Sequence, residues 1–170
     1  MDKLKEYLAN YFKINRGSLE DVAGLFEVKL LDKGDFFLHA GKRCTEMAFV
    51  KDGILRISAL ADDKEITQWI MTEGYFATDL NSFIFGAPGR WNIRALSNSV
   101  LYSISKSNYE KMGRMVPNWP SLEREFLVHC FTTMEDRVFQ FLSMSAEERY
   151  HTFFESNKVL FNQVPLQYIA

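Results

Sequence analysis

Apolar residues recur at Leu4, Tyr7, Leu8, Tyr11 and Phe12, then at Leu19, Val22, Leu25 and Phe26. Steps of three and four are the signature of a helix with one buried face, so two short helices are predicted before the first strand. Ser18 followed three positions later by Asp21 has the form of a capping box and places the start of the second helix there. From about Val28 to Ser105 the texture changes to short β-branched and aromatic runs punctuated by Gly34, Gly41, Gly53 and Gly74, the spacing of an all-β region. Within it, Met47 to Lys51 and Ile54 to Ile57 flank Asp52-Gly53, a pair suited to a type I′ hairpin turn. A second hairpin is predicted to turn at Ala61-Asp62-Asp63-Lys64 and return along Ile66 to Ile70. Trp91 to Leu96 and Val100 to Ile104 read as two further strands. Thr78-Asp79-Leu80-Asn81-Ser82-Phe83 carries an N-cap residue and helical spacing, which predicts a short helix interrupting the sheet.

After Ser105 the pattern is helical. Tyr109, Met112, Met115 and Val116 mark a helix that Pro117 ends. A long helix is predicted from about Asn118 to Met144, with Pro120 accommodated in its first turn. Its apolar positions, Leu122, Phe126, Leu127, Cys130, Phe131, Met134, Val138, Phe141 and Leu142, exceed one stripe, while Glu125, His129, Thr132, Asp136 and Gln140 form a polar face. Such a helix buries two sides. Ser145 and Glu148 make a capping box for another helix through Phe154, and Pro165 opens what reads as one more.

A chain of 170 residues with 47% apolar content can bury the core of one domain. The 20 Lys and Arg nearly cancel the 22 Asp and Glu, leaving a formal net charge of −2, so no global basic field draws the chain to nucleic acid. No apolar run approaches the roughly 18 residues that span a bilayer, and the first residues lack the apolar core of a signal peptide, so a cytoplasmic location is expected. Cys44 and Cys130 form no C-x-x-C arrangement and are expected to be reduced thiols; no metal, haem or iron–sulfur cluster is expected. His39, His129 and His151 fall in three different elements, which leaves a metal-dependent cupin-like enzyme as the weakest of three readings. With no G-x-S-x-G elbow and no cysteine beside an evident base, the chain is not expected to be an enzyme.

The run Leu31-Asp32-Lys33-Gly34-Asp35-Phe36-Phe37-Leu38-His39-Ala40-Gly41, followed by Met47 to Ile57 around Asp52-Gly53, resembles the cyclic-nucleotide-binding β-roll. With the long helix behind it, the chain is similar to a Crp/Fnr-type bacterial transcription regulator from about Val28 onward. The resemblance implies an α+β fold: an antiparallel β-roll (a double-stranded β-helix) with N-terminal helices and a long C-terminal dimerisation helix. It divides the chain into a sensor domain over 1–117, a dimerisation helix over 118–144 and, over 145–170, the start of a helical DNA-binding domain. A homodimer is then expected, with Leu127, Cys130, Met134, Val138 and Phe141 at its seam. DNA would be read by a helix-turn-helix that Val164 to Ala170 opens and that is incomplete here. Residues 101–170 hold seven Lys and Arg against eight Asp and Glu, so nothing in that half substitutes for it.

The family's nucleotide-binding members offer a Glu from a Gly-Glu-Leu segment to the ribose, and an Arg followed by a small hydroxyl residue to the cyclic phosphate. Carried over position by position, the first place holds Thr78-Asp79-Leu80 and the second Gly89-Arg90-Trp91. Asp79 is one methylene shorter than Glu, Arg90 comes one position late counting back from Ile93-Arg94-Ala95, and Trp91 is bulky where a small residue is expected. Thr78, Asp79, Arg90 and Trp91 are the candidate ligand-binding residues; a cyclic nucleotide is expected to bind weakly or not at all, and the effector is unknown. Plainer readings exist for the same residues: Asp79 as a complement to a helix dipole, Arg90 as a solvated charge and Trp91 as core. Two functions follow, a Crp/Fnr-type regulator's sensing and dimerisation region, or a stand-alone cyclic-nucleotide-binding-like module acting on a partner protein.

Overall fold

In the computed structural model, which describes residues 2–168, two helices precede eight strands. They are α1 (Asp2–Phe12) and α2 (Arg16–Ala23). The second begins earlier than its Ser18–Asp21 pair indicates. Asn15, in extended backbone, is the N-cap, and its side chain accepts from the amide of Ser18, the expected cap, which lies in the first turn of the helix. Tyr7, Tyr11 and Phe12 of α1 close around the ring of Phe49, which is fully buried.

The strands are β1 (Glu27–Leu31), β2 (Phe36–Leu38), β3 (Glu46–Asp52), β4 (Leu55–Ala61), β5 (Lys64–Met71), β6 (Phe76–Ala77), β7 (Asn92–Ala95) and β8 (Ser99–Ser105), with α3 (Leu80–Phe85) between β6 and β7. They form two antiparallel four-stranded sheets in the orders β1-β8-β3-β6 and β2-β7-β4-β5. Leu55 of β4 and Leu101 of β8 are fully buried, together with Ala48 and Ile93, and Ala95 is nearly so.

The expected Asp52-Gly53 hairpin is not one. β3 pairs with β6 and β8, whereas β4 pairs with β5 and β7, so the chain crosses here from one sheet to the other. Asp52 keeps a negative φ; Gly53 alone turns positive, at 95°. The reason lies in the neighbour. A Cβ on Gly53 would lie 2.7 Å from the Ser99 Cα, closer than packed atoms come. The two positive φ angles of a type I′ turn occur one connection later, at Asp62 (46°) and Asp63 (64°), where Ala61 pairs with Lys64 as the second hairpin requires.

Three helical segments of the chain's second half match their expected spans closely. Ser105 caps α4 (Lys106–Met115), and α5 runs over Trp119–Ser143. The capping box of Ser145 and Glu148 starts α6 (Ala146–Ser156), with both reciprocal bonds formed. A short α7 (Lys158–Phe161) was not foreseen, and the element expected from Pro165 is a single 3₁₀ turn over Leu166–Tyr168, its last two residues lying outside the described ones. The contacts divide the chain into two units, Met1–Leu122 and Glu123–Ala170. In the first, Trp119 packs on Phe12 and Tyr109; in the second, Phe154 meets Phe161. No helix among the described residues is long and apolar enough to cross a membrane.

Candidate functional site

The start of α3 and the loop between α3 and β7 are held by one carboxylate. The N-cap of α3 is Asp79: its Oδ1 accepts from the Ser82 amide at 3.0 Å, and its Oδ2 accepts from the Arg90 amide at 2.8 Å. One methylene less than Glu suits this double role, because a capping side chain must fold back on its own helix. Asp79 is only 5% exposed; its bond to Ser82 is buried and its bond to Arg90 partly so.

The loop that follows is bound to the chain on every side. Gly89 donates to the Lys42 carbonyl at 2.8 Å and accepts from the Gly41 amide at 2.7 Å, while Arg43 and Pro88 bridge. The fully buried Ser82 hydroxyl accepts from the Cys44 amide and donates to the Ala87 carbonyl. The Asn92 side chain takes the Ala40 amide. Gly86, at φ 71°, ends α3 in the left-handed region and donates to Ser82. Gly89 also has the Lys42 carbonyl 3.0 Å from where its Cβ would be, so the loop sits against this backbone only because a glycine is there.

The four candidate ligand residues therefore share one neighbourhood, but they differ in what they have to offer. Thr78 is buried, with its hydroxyl against the Glu46 carbonyl and the Cys44 thiol. Asp79 has both oxygens committed to backbone amides. Trp91 is half-buried. Arg90 is the exposed one of the four. The amides of Gly89 and Arg90, the donors an anion in this loop would use, are already bonded.

A polar cluster that sequence reasoning missed joins β4 and β5. Arg56 is 5% exposed; its Nη1 donates to Glu65 at 2.7 Å and its Nε to the Thr67 hydroxyl at 2.9 Å, and Ser58 donates to the other Glu65 oxygen. The arginine bond, helped by that of Ser58, holds the Glu65 carboxyl below the usual carboxylate range. Spacing in the sequence could not reveal it, because a bulge between Ile57 and Ser58 sets the register that brings Thr67 opposite Ser58.

On α5, Leu127, Met134, Val138 and Phe141 are exposed and Cys130 is half-buried, its thiol pushed up to about 11 by burial. Phe131 and Leu142 add to this surface at 69% and 83% exposure. Spacings of four, three, four and three from Leu127 to Phe141 through Phe131 follow the heptad rhythm of a helix–helix seam. Among the described residues no three His, Cys, Asp or Glu side chains converge as a metal site.

Comparison with known proteins places these features. A cyclic nucleotide-binding domain model matches residues 28–114, just over half of the chain. The sensor domain of the transcriptional regulator DNR from Pseudomonas aeruginosa superposes with a TM-score of 0.63 at 16% identity, over 83% of this chain and 95% of that one. The catabolite activator protein of Thermus thermophilus does so at 0.64 and 14%, over 88% and 70%. The regulatory domain of Toxoplasma gondii PKA, crystallised with cAMP, gives 0.62 and 17%, over 72% and 46%. The chain spans less than half the length of the PKA regulatory structures it matches. No curated protein sequence matches it.

Proposed function

The chain belongs to the cyclic nucleotide-binding domain family, and from that membership we propose that it is the effector-sensing and dimerisation region of a cytoplasmic, non-enzymatic Crp/Fnr-type transcription regulator. Residues 1–117 sense, 118–144 dimerise and 145–170 lead into a DNA-binding domain. The observation that carries this reading is α5. It follows a roll of the regulator type and leaves a heptad row of large apolar side chains in water, a surface a monomer rarely keeps. Two such helices across a two-fold axis cover each other's rows and make one self-complementary contact.

Any effector enters between the start of α3 and the Arg90–Arg94 strand entry, with Thr78, Asp79, Arg90 and Trp91 around it. A cyclic nucleotide binds weakly or not at all, because its ribose would have to displace two backbone amides from the buried Asp79 and its phosphate would find the Gly89 and Arg90 amides taken. Arg90 then provides the anion contact for some other ligand.

The test has two arms. Light scattering at tens of micromolar should find a dimer, and a monomer would overturn the dimerisation reading. Fluorescence titration against DNA upstream of the same operon, at stated salt, should show specific binding only for a version extended through a complete helix-turn-helix. Failure of an extended dimer to bind any site would overturn the regulator reading in favour of a module that acts on a partner protein. Calorimetric detection of low-micromolar cyclic AMP or cyclic GMP would overturn the reading of the loop.

A further inference from the structure

The end of α3 leaves two apolar side chains in water side by side: Ile84 is 38% exposed and Phe85 80%. A lone exposed hydrophobe is ordinary on a protein surface, but here the backbone that carries the pair is fixed. Phe83 beside them is fully buried and anchors the helix, Gly86 ends it in the left-handed region, and the buried Ser82 hydroxyl ties the following loop back through the Ala87 carbonyl. The pair is thus presented from a rigid base, which keeps the ordering cost of docking low.

Cations adjoin the pair. The Lys106 ammonium donates to the Ile84 carbonyl at 2.9 Å, which sets a charge at its foot. The turn over residues 41–43 is bonded to the loop after α3, Gly89 to Lys42 and Arg43 bridging Pro88, and both Lys42 and Arg43 are exposed. Their own segments supply no counter-charge, since residues 39–45 and 80–95 hold no Asp or Glu. Of the acids next to these segments, Asp79 is committed to two amides, and Glu46 to Lys29 at 2.8 Å and to the Ser103 hydroxyl at 2.6 Å. Within α4, Glu110 stands against Lys106, Lys111 and Arg114. In a chain of net charge −2 this is a local positive field around an apolar centre.

The chemistry distinguishes three kinds of partner. A bilayer surface is held by an amphipathic face several turns long, and two side chains do not make one. A nucleic acid calls for a run of phosphate contacts and for rings on which bases stack, whereas here one ring stands beside a branched aliphatic chain. An aromatic anchor inside a charged rim is the anatomy of a protein–protein contact, and the sign of the rim fixes the sign of the other side. We propose that the end of α3 docks an acidic segment of a partner protein: a bulky apolar side chain of the partner covers Ile84 and Phe85 while its carboxylates meet Lys42, Arg43 and Lys106. The contact needs no residue of α5 and none of Thr78, Asp79, Arg90 and Trp91, so it stands apart from the sensor and dimerisation reading.

The test is selection from a random peptide library displayed on phage against the full chain, followed by fluorescence anisotropy with the enriched peptide. Enriched sequences should share Asp or Glu on either side of a Phe, Leu or Trp. Phe85→Ser, and the double variant Lys42→Gln with Arg43→Gln, should each weaken the peptide at least about tenfold. Urea unfolding of both variants should match that of the parent, because these side chains are exposed. Added salt should weaken the parent more than the double variant. The absence of any enriched consensus, a consensus without acidic residues, or equal affinity for Phe85→Ser would each overturn the proposal. Tighter, Phe85-dependent binding to phosphatidylglycerol vesicles or to a single-stranded oligonucleotide than to the peptide would replace it with a membrane or a nucleic-acid contact. None of these readouts depends on whether the chain dimerises or binds an effector.

Discussion

Between Asp79 and Asn92 the chain's polar groups meet partners from the chain itself, whereas along α5 the apolar groups from Leu127 to Leu142 meet water. The first region consists of a short helix and a loop, which other contexts would leave mobile; here a buried carboxylate, a buried hydroxyl and reciprocal backbone bonds close it. The second is a 25-residue helix, regular in its backbone and unfinished on its surface. Regular secondary structure is thus no guide to where a structure is complete. Completeness is measured by whether buried polar groups are paired and whether large apolar groups are covered.

Three substitutions bear on this contrast. The largest effect is expected at the unfinished surface. Met134→Arg places a charge in the heptad row and should weaken dimerisation at least about a hundredfold, roughly 3 kcal/mol, while leaving the monomer folded because the position is exposed. Sedimentation velocity across a concentration series reads it; an unchanged association constant would show that this row is not the seam. Next comes the closed loop. Asp79→Ala removes the α3 cap and orphans the Arg90 amide, and urea unfolding should lose about 2 to 3 kcal/mol. A loss below about 0.5 kcal/mol would mean that water replaces the carboxylate and the closure is loose.

The smallest effect is expected at Glu65, whose carboxylate is bonded by a buried Arg56 but is itself 46% exposed. Its folded pKa is depressed, so its contribution is fully present above the unfolded value and is lost as pH falls through the folded one. Solvent screening keeps that contribution under about 1 kcal/mol. Acid unfolding curves of the chain and of Glu65→Gln should converge below that range and separate above it. Parallel curves at all pH values would remove Glu65 from the account.

What the sequence discloses follows the same division. Features written within a few consecutive residues were legible: the Asp62-Asp63 turn, the Ser145–Glu148 box, the α4 end at Pro117 and the span of α5. The exposed row of α5 was legible as well, because its excess of apolar positions needs no knowledge of the rest of the fold. The Asp52-Gly53 hairpin misleads because turn chemistry is local, while β3 pairs with β8, five strands later in the chain. Asp79 reads from the sequence as a residue at the start of a helix, but its second oxygen answers an amide 11 residues on, a contact no spacing rule encodes. Lys29–Glu46 and Arg56–Glu65 escaped notice for the same reason: each pair joins residues on different strands, and charged residues in strands read as solvent-facing until the register is known.

The strand order has a consequence for synthesis. In β1-β8-β3-β6 the central position is filled by the last strand to be made, and Glu27 pairs with Ser103. A nascent chain that has exposed β1 to β7 outside the ribosome holds β1 and β3 with a gap between them, and the interior side of each remains wet. Closing so long a loop costs entropy before any contact returns it, so the roll gains its stability late and in one step. Until Ser99–Ser105 has emerged, the edges of β1 and β3 that β8 will join stay unpaired, and the nascent chain presents open strand edges that the finished sheet does not.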